Sequence, residues 1–255
     1  MRTAAKRRWY ALALAGGLLV SGCTTVTEGE VRPAAGLALR PLNGDQLLDV
    51  LPTTNQVVDL IADPLGPDPE LPEELGELSD MADGLSSDAE ASPHECVGAI
   101  STLQRSIYED TGLKEYANRS WELPEDEDGD VLSATAGVAA FPGTADANDV
   151  FDAFAEQWKD CDGTAVEVPV EDGDDYFLDS VTNVRVEHAV LSADIETSRP
   201  SASISWPRVR AIGVRGNCLV EVDISFFGGD APPPDLENVA IEMAQSVMHR
   251  IGEVA

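Results

Sequence analysis

ASISWPRVRAIGVRGNCLVEVDISFF, residues 202–227, holds two β-prone runs, Ala202–Val214 and Cys218–Phe227, separated only by Arg215-Gly216-Asn217. Val and Ile recur in both runs, and the glycine and asparagine between them are residues that tight turns use. Strands with so short a connection pair antiparallel, because a parallel pair needs a long crossover. Upstream lie three more β-prone runs, Thr164–Val170, Tyr176–Thr182 and Val184–Leu191, with the turn residues Glu171-Asp172-Gly173-Asp174 after the first. Sequential strands joined in this way predict an antiparallel sheet.

Helical patterns flank the strands. VLSATAGVAAF, Val131–Phe141, alternates small and apolar residues as a strand does and ends at Pro142-Gly143. A helix is predicted to follow, with Thr144 as N-cap and Asp146 and Asp149 at the positive end of its dipole. Val150, Phe151, Phe154, Trp158 and Cys161 fall on one face, and Asp162-Gly163 ends the helix. A last helix follows Pro232-Pro233-Pro234, with Asp235 as N-cap and Leu236, Val239, Ala240, Met243, Val247 and Ile251 inward. Shorter amphipathic pieces cover Gly44–Leu51 and Asn55–Ile61, and Cys96–Leu113 suits short helical turns. Strands and helices are partly segregated, which predicts an α+β domain: a twisted antiparallel sheet packed with helices.

Two acidic stretches interrupt the pattern. Residues 63–93 are dense in Pro, Gly, Ser and carboxylates and predict a long, mobile, exposed loop, a candidate lid. Glu122–Asp130 predicts a solvated acidic turn. Neither Gly129 nor Gly173 at the sixth position gives an EF-hand calcium loop, so no metal site is assigned.

The N-terminus sets the address. Arg2, Lys6, Arg7 and Arg8 precede the apolar run Trp9–Val20, which has the charge and length of a secretory signal and is short for a membrane span. Leu18-Leu19-Val20-Ser21-Gly22-Cys23 resembles a bacterial lipobox, in which the cysteine thiol receives diacylglycerol and becomes the new N-terminus. Residues 1–22 are thus expected to be a lipoprotein signal peptide and 23–41 a lipidated Cys23 with a flexible tether. Residues 42–255 form a single domain on the extracytoplasmic face of the cell membrane. Two acyl chains, at ~0.8 kcal/mol per buried methylene, make a stable anchor.

Composition excludes several functions. The formal net charge is −31, so nucleic acid, whose phosphates need clustered Lys and Arg, is not an expected partner. His94, His188 and His249 form no metal-ligating spacing, and no G-x-S-x-G, S-x-x-K, P-loop or G-x-G-x-x-G motif is present. No catalytic residue and no cofactor are assigned. With Cys23 used for lipid, Cys96, Cys161 and Cys218 leave three possible single disulfides, all open at this point.

A family then comes into view. Pro93-His94-Glu95-Cys96-Val97-Gly98-Ala99, Tyr108, Val138-Ala139-Ala140-Phe141-Pro142 with Ala145 and Ala147, and Gln157–Gly163 stand in the order found in the PknH-like extracellular sensor domain of actinobacteria. Trp206, Arg210-Ala211-Ile212, Val214–Asn217, Val220–Asp223 and the C-terminal amphipathic helix continue that order, so roughly Leu42 to Ile251 resembles the family. The family contains the external part of a mycobacterial serine/threonine kinase and many freestanding lipoproteins, and this chain is similar to the second kind.

The resemblance implies a Cys96–Cys161 bridge, leaving Cys218 a buried unpaired thiol, with Cys218–Cys161 as the competing pairing. The family's second bridge lacks its cysteines here. The resemblance also implies a non-enzymatic, sensor-like module whose cleft takes an unidentified small-molecule or lipid ligand. The alternatives are a structural or adaptor lipoprotein that binds another envelope protein, and an envelope hydrolase with a dispersed active site.

Overall fold

Near the start of the domain Leu42 is buried and clamped by one side chain. Its N–H donates to Asn217 Oδ1 at 2.9 Å, and its carbonyl accepts from Asn217 Nδ2 at 3.1 Å. The computed structural model describes residues 39–170, 175–228, 231–234, 236 and 238–255. The signal segment, Cys23, residues 24–38 of the tether, the turn 171–174 and the expected cap Asp235 lie outside the described residues.

In chain order the elements are α1 (Asp45–Val50), α2 (Thr54–Ile61), the short strands β1 (Gly66–Pro67) and β2 (Glu74–Gly76), α3 (Val97–Ile100), α4 (Arg105–Tyr108), β3 (Glu115–Glu122) and β4 (Val131–Ala140). Then come α5 (Thr144–Cys161), β5 (Ala165–Pro169), β6 (Tyr176–Glu187), β7 (Val190–Arg199), β8 (Ile204–Arg215), β9 (Cys218–Phe226) and α6 (Val239–Val254). The nine strands among the described residues form one antiparallel sheet in the order β1-β3-β4-β9-β8-β7-β6-β5, with β2 also on the outer edge of β3. The α+β architecture is the expected one, and residues 202–227 form the β8–β9 hairpin at its centre.

The sheet separates two cores because successive side chains point to opposite faces. On one face Val138, Val209, Val220, Val222 and Ile224 pack under α1, α2 and α6 with Leu47, Val57, Met243, Val247 and Ile251. On the other, Ala139, Val181, Leu191, Ile212 and Leu219 meet Phe151, Phe154 and Trp158 of α5, with α3 and α4 beside them. Each fully buried large side chain contributes about 1.5–3 kcal/mol. Gly213 lets α6 approach, since a Cβ there would lie 2.4 Å from Met248 Sδ.

Several boundaries differ from the sequence expectation. Gly143, not Thr144, occupies the N-cap of α5, and α6 starts at Val239 after Asn238, because turns at Pro233–Leu236 and Leu236–Val239 precede it. Tyr176–Thr182 and Val184–Leu191 are not separate strands. β6 runs through both regions with a register shift between Thr182 and Arg185, and the chain reverses at His188-Ala189, where φ is 52° and 62°. The turn lacks the Asn-Gly, Asp-Gly or Gly-Gly pair that usually marks two successive positive-φ residues, so its composition gives no hairpin signal.

The largest correction concerns residues 63–93. The stretch is an anchored strap rather than a free loop: β1 and β2 pair with β3 at one edge of the sheet, and Met81 and Ala91 are buried in the second core. At the opposite edge Ser92 and Glu167 of β5 exchange backbone hydrogen bonds of 2.9 and 2.8 Å. Backbone pairing holds its two ends, and the Arg105 side chain, bonded to Asp83 and to the Ser79 and Met81 carbonyls, ties down its middle.

Candidate functional site

The face that carries the second core is apolar under α5 and polar beyond it. Register places Ser120, Thr135, Asp223 and Arg210 in one cross-strand row, and Asn118, Gly137 and Glu221 in the next. Arg210 has 0 % exposure and sits over the Trp158 ring, 5.4 Å from its centroid. Its guanidinium donates to Glu221 Oε2 at 2.9 Å and to the carbonyls of Gly98 and Ser101 at 3.0 Å each. Glu221 Oε1 accepts from the Tyr108 hydroxyl at 2.5 Å and the Leu103 N–H at 3.3 Å. Arg208 bonds Asp223, donates to the Ile100 carbonyl at 2.6 Å and reaches Thr197 Oγ1 at 3.2 Å. Thr197 in turn donates to Asp179.

Two guanidiniums thus hold the carbonyls at the end of α3, and the turn Ser101–Gln104 is fixed above the sheet. Gly137 makes that approach possible: a Cβ there would lie 2.5 Å from Leu103 Cδ1. Burial, then the Glu221 carboxylate, push the Tyr108 phenol well above its ordinary pKa. Burial by itself disfavours the Arg208 cation, but Asp223 and Asp179 outweigh it and hold it charged.

Asp179 has the opposite balance, and this gives a pH dependence. Burial raises its pKa above the ordinary 3.8 despite the attraction of Arg208 and the Thr197 hydrogen bond. The folded state therefore binds the Asp179 proton more tightly than the unfolded chain. Stability from this group is highest at low pH and declines as pH rises from the ordinary aspartate value through the raised one. Urea midpoints measured across that window are expected to fall less steeply with pH in Asp179→Asn than in the wild type. Parallel slopes would show that Asp179 is not the group responsible.

The fixed turn, the strap and the sheet enclose a cleft of about 390 Å³. Tyr116, Asn118, Ser120 and Thr135 form its floor, and Glu74 and Asp80 of the strap stand opposite Ser101, Thr102 and Gln104. Ser120 and Thr135 share a hydroxyl hydrogen bond of 2.9 Å, and Glu74 accepts from the Tyr116 hydroxyl at 3.2 Å. Burial and then Glu74 push the Tyr116 pKa up to about 12, so the phenol remains a donor.

Beside this cleft the strap arches out of the sheet. Pro67 pairs with Trp121 and Glu74 with Asn118, so residues 68–73 span only two residues of β3. Asp68 Oδ1 shapes the arch by accepting the N–H groups of Glu70 and Leu71 at 2.7 and 3.0 Å. Leu71, 58 % exposed, and Pro72 also line a second cleft of about 470 Å³ on the far side, with Thr53, Arg119 and Trp121.

Cys96 and Cys161 form the disulfide, Cα atoms 5.7 Å apart, joining the turn before α3 to the last residue of α5. Cys218 is free and buried in the other core, on the far side of the sheet, which rules out the competing pairing. Burial pushes its thiol up to about 12. The three histidines do not converge: His188 lies in the β6–β7 turn, His249 is exposed on α6 beside Glu253, and His94 adjoins the disulfide region. Among the described residues no group of three His, Cys, Asp or Glu is placed to hold a metal ion.

Asp179, Arg208, Glu221 and Asp223 were not singled out as site residues by the sequence reading. Their signal is charge at alternate positions, Arg208 and Arg210, Glu221 and Asp223, inside otherwise apolar strands.

Among the described residues no helix is long and apolar enough to cross a membrane. The fold is similar to the crystal structure of the extracellular domain of PknH from Mycobacterium tuberculosis, with TM-score 0.69 and 18% identity, covering 85% of this chain and 100% of that one. No curated protein matches the chain. The family model of the PknH-like extracellular domain matches residues 42–250, from the Leu42 clamp to the last turns of α6, and the chain therefore belongs to the PknH-like extracellular domain family.

Proposed function

We propose that the protein is a non-enzymatic, sensor-like binding module of the cell envelope, held at the membrane through lipid on Cys23, with its ligand seated in the cleft under the strap. The observation that carries this reading is the chemistry of the cleft. Its floor presents the hydroxyls of Ser120 and Thr135 and the Asn118 amide, while its strap wall presents the Glu74 and Asp80 carboxylates. Hydroxyls and amides exchange hydrogen bonds with a neutral, hydroxyl-rich molecule, and the carboxylates oppose an anion. Leu71, Pro72 and Leu103 supply apolar contact for the carbon skeleton. Thr135→Trp would fill the cleft from its floor, so comparison with this variant tests the site.

The adaptor reading draws on Leu71 and on Leu75, 40 % exposed, at the strap edge. It becomes the better account if the cleft is filled without loss of function and replacement of these leucines abolishes capture of an envelope protein.

A further inference from the structure

The cleft of about 470 Å³ on the far side of the arch takes no part in the function proposed above. Pro67, Leu71, Pro72 and the Trp121 ring give it walls of carbon. Each polar side chain in its lining already has a partner inside the protein. The Trp121 indole donates to Thr54 Oγ1 at 3.2 Å, and Thr53 Oγ1 donates to Gln56 Oε1 at 3.3 Å and accepts the Gln56 N–H at 3.4 Å. Asp68 Oδ1 is spent on the Glu70 and Leu71 N–H groups, Glu73 pairs with Arg119, and the Ser120 hydroxyl bonds that of Thr135. A polar guest would have to displace one of these partners. An apolar chain displaces none and gains from the removal of carbon from water.

The two clefts meet at the arch, since Leu71, Pro72 and Ser120 line both. Leu71 is the most exposed large apolar side chain among the described residues. A molecule lying across Leu71 and Pro72 touches both clefts and covers that side chain.

We propose that the ligand is an amphiphile of the glycolipid class, with its neutral, hydroxyl-rich head under the strap and an alkyl chain laid across Leu71 and Pro72 into the second cleft. The assignment rests on the reading of the strap cleft given above and adds the chain to it. The chemistry divides at the arch: hydroxyls, an amide and carboxylates on one side, carbon and already partnered polar groups on the other. Sites that combine an apolar wall with a few polar groups in this way bind by the first and orient by the second.

The test uses methyl β-D-glucoside and hexyl β-D-glucoside as probes, both free of micelles. Two resonances of the 15N-labelled protein report on the two clefts: the Asn118 side-chain amide under the strap and the Trp121 indole N–H beyond the arch, assigned by their loss in Asn118→Asp and Trp121→Phe. Methyl glucoside is expected to shift the Asn118 resonance alone. Hexyl glucoside is expected to shift both, with a midpoint at least about tenfold lower, as the burial of two methylenes implies. Thr54→Phe and Pro67→Phe, which fill the second cleft from α2 and from β1, are each expected to remove that gain and to leave methyl glucoside binding unchanged. If one variant fails to fold, the other still decides. Equal midpoints for the two probes, or a gain that survives in a folded filled variant, would overturn the alkyl chain and leave the strap cleft's own reading standing. A Trp121 shift that persists in folded Thr135→Trp would also overturn the proposal, because the second cleft would then act without the head. If neither glucoside shifts Asn118, the hydroxyl-rich head is wrong and both readings fall.

Discussion

Arg210→Met is expected to lower folding stability by about 3–5 kcal/mol, the usual cost of removing one partner from a buried ion pair. The guanidinium is wholly buried and is the donor to Glu221 Oε2 and to the Gly98 and Ser101 carbonyls. Methionine fills much of the volume but donates nothing, so the Glu221 carboxyl is left in the core with only Tyr108 and the Leu103 N–H as partners. The double variant Arg210→Met, Glu221→Leu removes the stranded carboxyl and is expected to recover part of the loss. It cannot recover all, because the Tyr108 hydroxyl and the two carbonyls remain without their partners. Urea unfolding of the wild type and the variants measures both effects. A loss below about 1 kcal/mol in the single variant would mean that water replaces the guanidinium, contrary to the burial described.

The second large effect is removal of the disulfide. Cys96 and Cys161 are 65 residues apart in sequence, and closing a loop of that length contributes about 4 kcal/mol in the chain-entropy model. The loop encloses β3, β4 and α5, so its release frees the segment that presents both the cleft floor and the helix over the second core. The double variant Cys96→Ala, Cys161→Ala is expected to unfold at a urea midpoint lower by the corresponding amount. Single variants should not re-form a bridge with Cys218, which lies beyond the sheet. A disulfide to Cys218 found by non-reducing peptide mapping of either single variant would contradict the placement of the two cores.

The β8–β9 hairpin was legible because Arg215-Gly216-Asn217 places glycine at a φ of 59° between two apolar runs. Helix α5 was legible because Phe151, Phe154 and Trp158 repeat at helical spacing and all are buried. The β6–β7 turn was not, because His188 and Ala189 adopt positive φ without the residues that usually announce it. No strand was assigned over β3, because Asn118, Arg119 and Ser120 interrupt its apolar pattern, although Asn118 and Ser120 face the cleft and Arg119 pairs with Glu73. The strap could not be read from side chains, since main-chain pairing to β3 and β5 holds it at the edges and backbone groups are the same in every residue. The cleft exists only where that strap, the Ser101–Gln104 turn and β3–β4 meet, and its floor was therefore hidden with them.

Under the proposed function the cleft between strap and sheet holds a neutral, hydroxyl-rich ligand. Native mass spectrometry of the protein purified gently from the cells that produce it, alongside Thr135→Trp, tests this most directly. The expected result is a stoichiometric mass increment on the wild type, absent from a folded Thr135→Trp variant, whose extracted molecule is uncharged and rich in hydroxyl groups. The same increment on both proteins would place the ligand elsewhere. An anionic ligand, or a wild type that carries nothing and takes up no neutral glycan or polyol when these are offered, would contradict the claim.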